Sequence, residues 1–283
     1  MSADAWTVVE SFLEGKTGRP ETCEDGLIAT GFYPGVVDGV TAKSERSWSG
    51  RSGGREAARI IATTLARLPA GLRLREVVDA LTAGIYDRYR EADCVEPLRD
   101  DPNERMGASM ALLDPARREV WRVGDCQVMV NGELLTRKKT IDHITANVRA
   151  LYLETALLSG EDLEALRRED PGRAHILPLL RQQAVFQNRP EAGDLWYPVI
   201  DGFPVPEAGL EVIALPDTAV EVVLSTDGYP APRATLAESE RLLFELLERD
   251  PLLFREFKAT KGLRPGQVSF DDRAYLRIRL DPV

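Results

Sequence analysis

Histidine and cysteine are scarce in this chain. His143 and His175 are its two histidines, and Cys23, Cys94 and Cys126 lie far apart with no CxxC pair. That spacing excludes a disulfide scaffold and predicts free thiols in a reduced compartment. Long apolar runs are missing too, since none nears the ~18–20 residues a membrane helix needs. The opening MSADAWTVVESF has no basic stretch leading into an apolar one, so no secretory signal is expected. Nor is there a basic excess. Lys and Arg number 36 against 46 Asp and Glu, a formal charge of −10, whereas a nucleic-acid surface needs clustered cations. The expectation is a cytoplasmic chain with no nucleic-acid and no membrane partner. The acid excess is compatible with cation binding, although a modest negative charge is more often a solubility device.

What is present is an ordinary globular composition. With 43% hydrophobic residues in 283, the chain can bury a core in one large domain or two small ones. WTVVESFLEG (6–15) reads as a first strand, and GLIATG (26–31) and YPGVVDG (33–39) as two short strands that pair. GGREAARIIATTLARL (53–68) switches to a three-to-four period through Ala57, Ile60, Ile61, Leu65 and Leu68. LREVVDALTAGIYDRYREA (74–92) repeats it, so both are helices. ASMALLD (108–114) and EVWRVGDCQVMVNGELL (119–135) return to strand, the latter with an Asn-Gly hairpin. Residues 144–189 read as helix interrupted at SGED and EDPGR, with Ser159 as an N-cap. LEVIALP, VEVVLSTDGYP and AYLRIRL are late strands around a helix, TLAESERLLFELLERD. EADCVEPLRDDPNERMG (91–107) is the most loop-like segment, EAGDLWYPVIDGFPVPEAG (191–209) the next, and neither separates domains. Strands in blocks with helices between them predict one α+β domain over residues 1–283, its antiparallel sheets covered by helices.

Acids recur at the ends of these strands. TCEDGL supplies Glu24 and Asp25, VVDGV supplies Asp38, VVLSTDGY supplies Asp227, and SFDDRAYLRI supplies Asp271 and Asp272. An isolated Asp-Gly is usually a turn, because Gly tolerates positive φ. Here each Asp-Gly ends an apolar strand, and no short hairpin follows. Hard divalent cations take oxygen ligands in octahedral array, and carboxylates on the ends of core strands are held rigidly enough to supply them. Gathering such acids without a cation carries a heavy penalty in repulsion and desolvation, so their convergence would call for one.

Glu24-Asp25, Asp38-Gly39, Gly124-Asp125, Asp227-Gly228 and Asp271-Asp272 follow one another in that order, with SGGREAARIIA as a Gly-rich turn into the first long helix. From about residue 7 to 280 this set resembles the metal-dependent Ser/Thr protein phosphatases of type 2C. The resemblance implies a sandwich of two antiparallel sheets flanked by helix pairs on both outer faces, with two Mn²⁺ or Mg²⁺ ions at one edge. Asp38 would bridge the ions and Gly39 would offer its carbonyl. Asp227 and Asp271 would hold the first ion, and Glu24 would serve the second through water. Asp25 and Asp272 would support the cluster from behind, and Asp125 matches the position of a weaker third ion. Asp38, Asp227 and Asp271 would thus carry catalysis, in which a water shared by two ions attacks phosphorus in line. No Ser or Cys nucleophile is needed. That agrees with a chain holding two histidines, which read as structural or surface residues.

Several positions depart from the family pattern. Val40 stands where some relatives carry a His and bacterial ones often a Met. Cys23 replaces an Asn and reads as a packing residue. Asp272 also replaces an Asn, adding negative charge, and Ala231 stands where many relatives have a further acid. The phosphate-binding Arg position is Pro20. Arg19, one residue away, either fills that role with its planar fork or is an ordinary exposed Arg, and Lys16 is a second candidate. Lys43, Arg46, Arg51 and Arg55, like Lys258, Lys261 and Arg264, form either a phosphate-attracting fringe or solvated loops. The expected function is a phosphomonoesterase acting on phosphoserine or phosphothreonine in a protein. A small phosphoester substrate and a non-catalytic binding module are the alternatives.

Overall fold

The computed structural model describes residues 6–29, 31–41, 43, 46–135, 137 and 139–281. Its strands form two five-stranded antiparallel sheets. One runs β1 (Trp6–Glu14), β10 (Arg273–Leu280), β9 (Glu221–Ser225), β6 (Gln127–Val130), β7 (Glu133–Leu135). The other runs β2 (Gly26–Ile28), β3 (Gly35–Gly39), β4 (Ala108–Asp114), β5 (Glu119–Val123), β8 (Glu211–Ala214). The described helices are α1 (Gly53–Leu65), α2 (Leu74–Glu91), α3 (Val95–Asp100), α4 (Thr140–Leu158), α5 (Leu163–Glu169), α6 (Pro171–Gln182) and α7 (Leu236–Arg249). Among the described residues no helix is long and apolar enough to cross a membrane.

The two-residue beat of a strand explains the layering. Val36 points between the sheets, where it meets Ala111, Leu113, Val128, Leu224 and Leu276. Its neighbour Val37 points outward, with Met110, Leu112 and Trp121, into a second core built on Ile61 of α1 and Leu81 and Ile85 of α2. A strand buried on both faces must be apolar at consecutive positions, and GVV is the result. On the opposite outer face Met129, Val223 and Tyr275 pack against Leu243 and Leu247 of α7, helped by Leu253, Phe257 and Leu263. The order is helix, sheet, sheet, helix, the α+β sandwich expected.

Four local expectations need correction. The run at 119–135 is three strands rather than two, because Gly124 to Cys126 carries the chain from one sheet to the other. The hairpin within it stands as read: Val130 pairs Glu133 across Asn131 and Gly132, both at positive φ. The helix placed from residue 144 begins at Thr140, and Ser159 is its C-cap. The N-cap of the next helix is Asp162, whose carboxylate accepts from the Ala165 amide. The loop-like segment 91–107 contains α3, which Leu98 anchors in the α1–α2 core.

Antiparallel pairing also decides where the acids go. β3 ends at Asp38-Gly39 opposite Ser109 and Ala108, where β4 begins. β5 returns to that rim at Val123, β6 leaves it at Gln127, β9 reaches it at Ser225, and β10 departs from it at Arg273. Residues 24–25, 38, 125, 227 and 271–272 therefore all lie on one edge of the sandwich.

Candidate active site

Asp38, Asp125, Asp227 and Asp271 line a single cavity of about 100 Å³ at this rim. Glu24, Asp25 and Asp272 lie behind it, all buried. Asp38 sits on β3, Asp125 on the crossing between sheets, Asp227 just beyond β9 and Asp271 just before β10. The glycines that follow two of these acids are required by packing. A Cβ on Gly39 would strike the carbonyls of Glu24 and Gly54, and one on Gly228 would strike the carbonyl of Asp272. The Gly39 carbonyl lies 2.8 Å from where a Cβ on Gly54 would stand, at the start of α1.

Concavity and mutual repulsion act on the carboxylates together. Burial first, then Asp227, Asp25, Asp125 and Asp271, push Asp38 well above the usual carboxylate range. Asp227 is exposed at the mouth, yet the protein packed around it, then the charges of Asp271 and Asp125, push it up to about 7. Asp25 is raised by burial, while a hydrogen bond from Thr226 Oγ1 (2.7 Å) opposes that. Asp125 and Asp271 go the other way. Burial would raise both, but Lys139 and Ser109 hold Asp125 below its ordinary value, and Lys261 and Lys16 do the same for Asp271.

Lysines have entered the acid cluster. Lys261 Nζ lies 2.5 Å from Asp271 Oδ2. Lys16 Nζ lies 2.7 Å from Asp272 Oδ2, 3.3 Å from Glu24 Oε2 and 3.6 Å from Asp271 Oδ1. Lys139 Nζ lies 2.9 Å from Asp142 Oδ2 and 3.6 Å from Asp125 Oδ2. Lys43 and Arg173 complete the cationic wall. Arg173, at the start of α6, has Nη1 on the Thr260 carbonyl at 2.9 Å. Burial, then Lys139, push the Lys43 ammonium down to about 8.

This arrangement tests the fit of a metal centre. Among the described residues, no three His, Cys, Asp or Glu side chains form a group that could hold an ion. The Glu24–Asp272 corner does not fit a second ion, because Lys16 occupies it and Ser52 Oγ donates to the other Glu24 oxygen at 2.6 Å. Asp38 and Asp227 differ. Among the described residues neither carboxylate has a hydrogen-bond or ion-pair partner. Two such carboxylates fit one hard divalent cation, since Mg²⁺ is commonly held by one or two carboxylates, water and substrate phosphate.

Other expectations resolve at the same level. Arg19 does not reach the acids: its side chain is 68% exposed and its nearest carboxylate is Glu21, 4.0 Å away. Val40 lines the cavity and packs with Tyr197 and Val199. Cys23 is buried, its thiol pushed up to about 12 chiefly by burial. The His175 ring packs on Tyr152 at 5.1 Å between centroids, tilted by 32°, and does not line the cavity. Gly50 to Gly54 spells G-x-S-x-G, but Ser52 is the N-cap of α1, accepting from the Arg55 amide, and its hydroxyl is spent on Glu24. Lys139 and Arg173 escaped the sequence reading. A usable signal existed only for the charge at Asp272, which needed a neighbouring cation.

No protein-family model matches the chain, and no curated protein sequence matches it. Among solved structures it is similar to the serine/threonine phosphatase PstP/Ppp of Mycobacterium tuberculosis, at 15% identity over 96% of this chain and 97% of that one, with a TM-score of 0.49. It is similar to the serine/threonine phosphatase Stp1 of Staphylococcus aureus, at 12% identity over 97% and 96% with a TM-score of 0.48. PppA, a regulatory component of the T6SS in Pseudomonas aeruginosa, is similar at 17% identity over 98% and 99% with a TM-score of 0.47.

Proposed function

We propose that this chain is a phosphomonoesterase acting on phosphoserine or phosphothreonine of a protein, with one Mn²⁺ or Mg²⁺ held by Asp38 and Asp227. One observation carries the proposal: two carboxylates that, among the described residues, have no hydrogen-bond or ion-pair partner share a cavity of about 100 Å³ with the cations Lys43, Arg173 and Lys261. A phosphate ester has complementary needs, namely anionic oxygens to be held and a developing charge to be neutralised. The ion would supply a water acidified for in-line attack and would offset charge on the phosphoryl oxygens. Arg173 would bind those oxygens with its fork, and Lys43 would meet them as a point charge. Lys261 and Lys139 hold Asp271 and Asp125 ionised in place. Val40 keeps one wall apolar and has no proton to give. A larger space of about 480 Å³ shares Asp125, Lys139, Asp227 and Asp271 as walls and adds Arg255 and Lys258. It has room for residues flanking a phosphorylated side chain, which favours a protein over a small phosphoester.

The test is turnover of p-nitrophenyl phosphate and of a phosphothreonine peptide, with and without Mn²⁺, for the wild type, Asp38→Asn and Asp227→Asn. Mn²⁺-dependent turnover that falls at least about 100-fold in both variants is the expected result, corresponding to about 2.7 kcal/mol of lost transition-state stabilisation. Turnover that survives EDTA would end the reading. The lysines within the acid cluster favour a second one, a binding module for phosphorylated segments. Its mark would be a wild type without turnover that binds the phosphopeptide and loses it in Lys43→Met.

A further inference from the structure

We infer that the ammonium of Lys16 is a resident cation holding the Glu24 carboxylate that the type 2C resemblance gives to a second metal ion, so that this chain holds at most one divalent ion. The inference builds on the proposed cation site at Asp38 and Asp227 but not on turnover.

The corner is built for nitrogen. Three carboxylates, from Asp272, Glu24 and Asp271, surround Lys16 Nζ at 2.7, 3.3 and 3.6 Å. A divalent ion would take such oxygens at about 2.0–2.6 Å, and a water linking an ion to Glu24 would need the oxygen that Lys16 holds, so ammonium and ion compete for the same acceptors. The lysine is also fixed by its backbone. Its amide donates to Asp272 Oδ1 at 2.8 Å, and its carbonyl accepts from the Val268 amide at 2.9 Å. The fold explains how residue 16 arrives there. β1 pairs with β10 through Glu14 and Arg273, which sets the segment after β1 beside Asp271 and Asp272. No ligand oxygen at this corner is left over: Glu24 accepts from Ser52, and the second oxygen of Asp271 meets Lys261. Charge closes the argument. Asp272 stands where the family pattern has a neutral Asn, and the negative charge it adds is matched by Lys16.

The test counts ions rather than product. Mn²⁺ binding to the full chain is measured by isothermal titration, with free Mn²⁺ read by electron paramagnetic resonance. The proteins are the wild type, Lys16→Met and the charge-balanced double variant Lys16→Met/Asp272→Asn, each checked for folding by circular dichroism. The double variant guards against the single one failing to fold, because it removes one charge of each sign. The deciding quantity is the difference between wild type and double variant. One additional Mn²⁺ per chain on removing Lys16 is expected, whatever the wild-type count below two. Two tightly bound Mn²⁺ in the wild type, or no gain in the double variant, would overturn the inference. Failure of the Asp38–Asp227 site would subtract one ion from both proteins and leave the gain intact, so the two proposals fail separately.

Discussion

Replacing Arg149 by methionine removes a buried cation from the lobe that carries Arg173. Arg149 is fully buried and Asp170 nearly so. The guanidinium grips Asp170 through Nη2 at 2.9 Å and Nε at 3.2 and 3.3 Å, while Nη1 donates to the carbonyls of Ala259 (3.0 Å) and Leu253 (3.3 Å). Without it, the Asp170 carboxylate stays buried and keeps, among the described residues, one hydrogen-bond donor, the Arg173 backbone amide. Breaking such a pair costs about 3–5 kcal/mol. The two abandoned carbonyls add to this, though contributions within one network do not sum, so about 4 kcal/mol is the working figure. Against a total stability of about 5–15 kcal/mol this is a large loss. Urea unfolding of the wild type, Arg149→Met and Arg149→Met/Asp170→Asn measures it. The double variant should regain about 2 kcal/mol, because most of the penalty lies in the orphaned charge rather than in the lost contacts. A single-variant loss below about 1 kcal/mol, or a double variant worse than the single one, would refute the reasoning. The perturbation also reaches the cavity: Asp170 lies three residues before Arg173 and Ala259 two before Lys261.

Three further outcomes are expected. Lys43→Met should weaken inorganic phosphate binding at least about tenfold by isothermal titration, since a hydrogen bond to a charged group contributes roughly 1.5–3 kcal/mol. The pH dependence of that site has a definite sign. Because Lys43 falls from 10.5 to about 8 on folding, the unfolded chain holds more protons there between those values, so this residue makes stability rise with pH across that window. Phosphate affinity runs oppositely, weakening as pH climbs through about 8, and Lys43→Arg should flatten the profile. Gly39→Ala should cost about 3 kcal/mol in urea unfolding, because its new methyl group meets backbone carbonyls that cannot rotate aside. A Tm within 2 °C of wild type, on a scale of about 2–4 °C per kcal/mol, would contradict that. Cys23, Cys94 and Cys126 are buried, and burial raises Cys23 and Cys126, so Ellman's reagent should label them only on unfolding.

The fold was legible wherever burial leaves a period. Ile60, Ile61 and Leu65 mark α1 because one face must meet a sheet. VVD ends a strand because both faces of β3 are covered and the rim begins at Asp38. The errors lie where local chemistry gives two answers. Ser159 and Asp162 are both competent caps, and the choice fell to Asp162 because α4 runs on through Leu158. The run at 119–135 carries uninterrupted strand character, and nothing in composition reveals that Gly124 to Cys126 changes sheets. At the site, the acids were readable because they occupy strand ends, whose position follows from the fold. The cations were readable only as alternatives, phosphate binder or solvated loop for Lys16, Lys43 and Lys261, and Lys139 not at all. Lys16, Lys43, Lys139 and Lys261 lie outside the strands, where side-chain reach and loop path decide what each one touches.

That asymmetry has a physical origin. Carboxylates set on rigid strand ends face one another whether or not a ligand is present, and their repulsion is permanent. Something must offset it in the free chain. At Glu24 and Asp272 the offset is internal, since Lys16 is pinned by its own backbone and, against burial, which would lower it, the three acids around it raise its ammonium above the usual lysine range. At Asp38 and Asp227 no side chain among the described residues comes within ion-pairing reach, although Lys261 and Lys139 act on Asp227 from farther off, and burial with mutual repulsion raises both carboxylates above their ordinary range. Such groups release their protons when a cation arrives, so binding there must be linked to pH. One edge of a sandwich thus holds a neutralised half and an unsatisfied half. Only the unsatisfied half has free energy left to give to an external ion, and the cationic wall of Lys43 and Arg173 lies beside it to receive the anion that such an ion would bring.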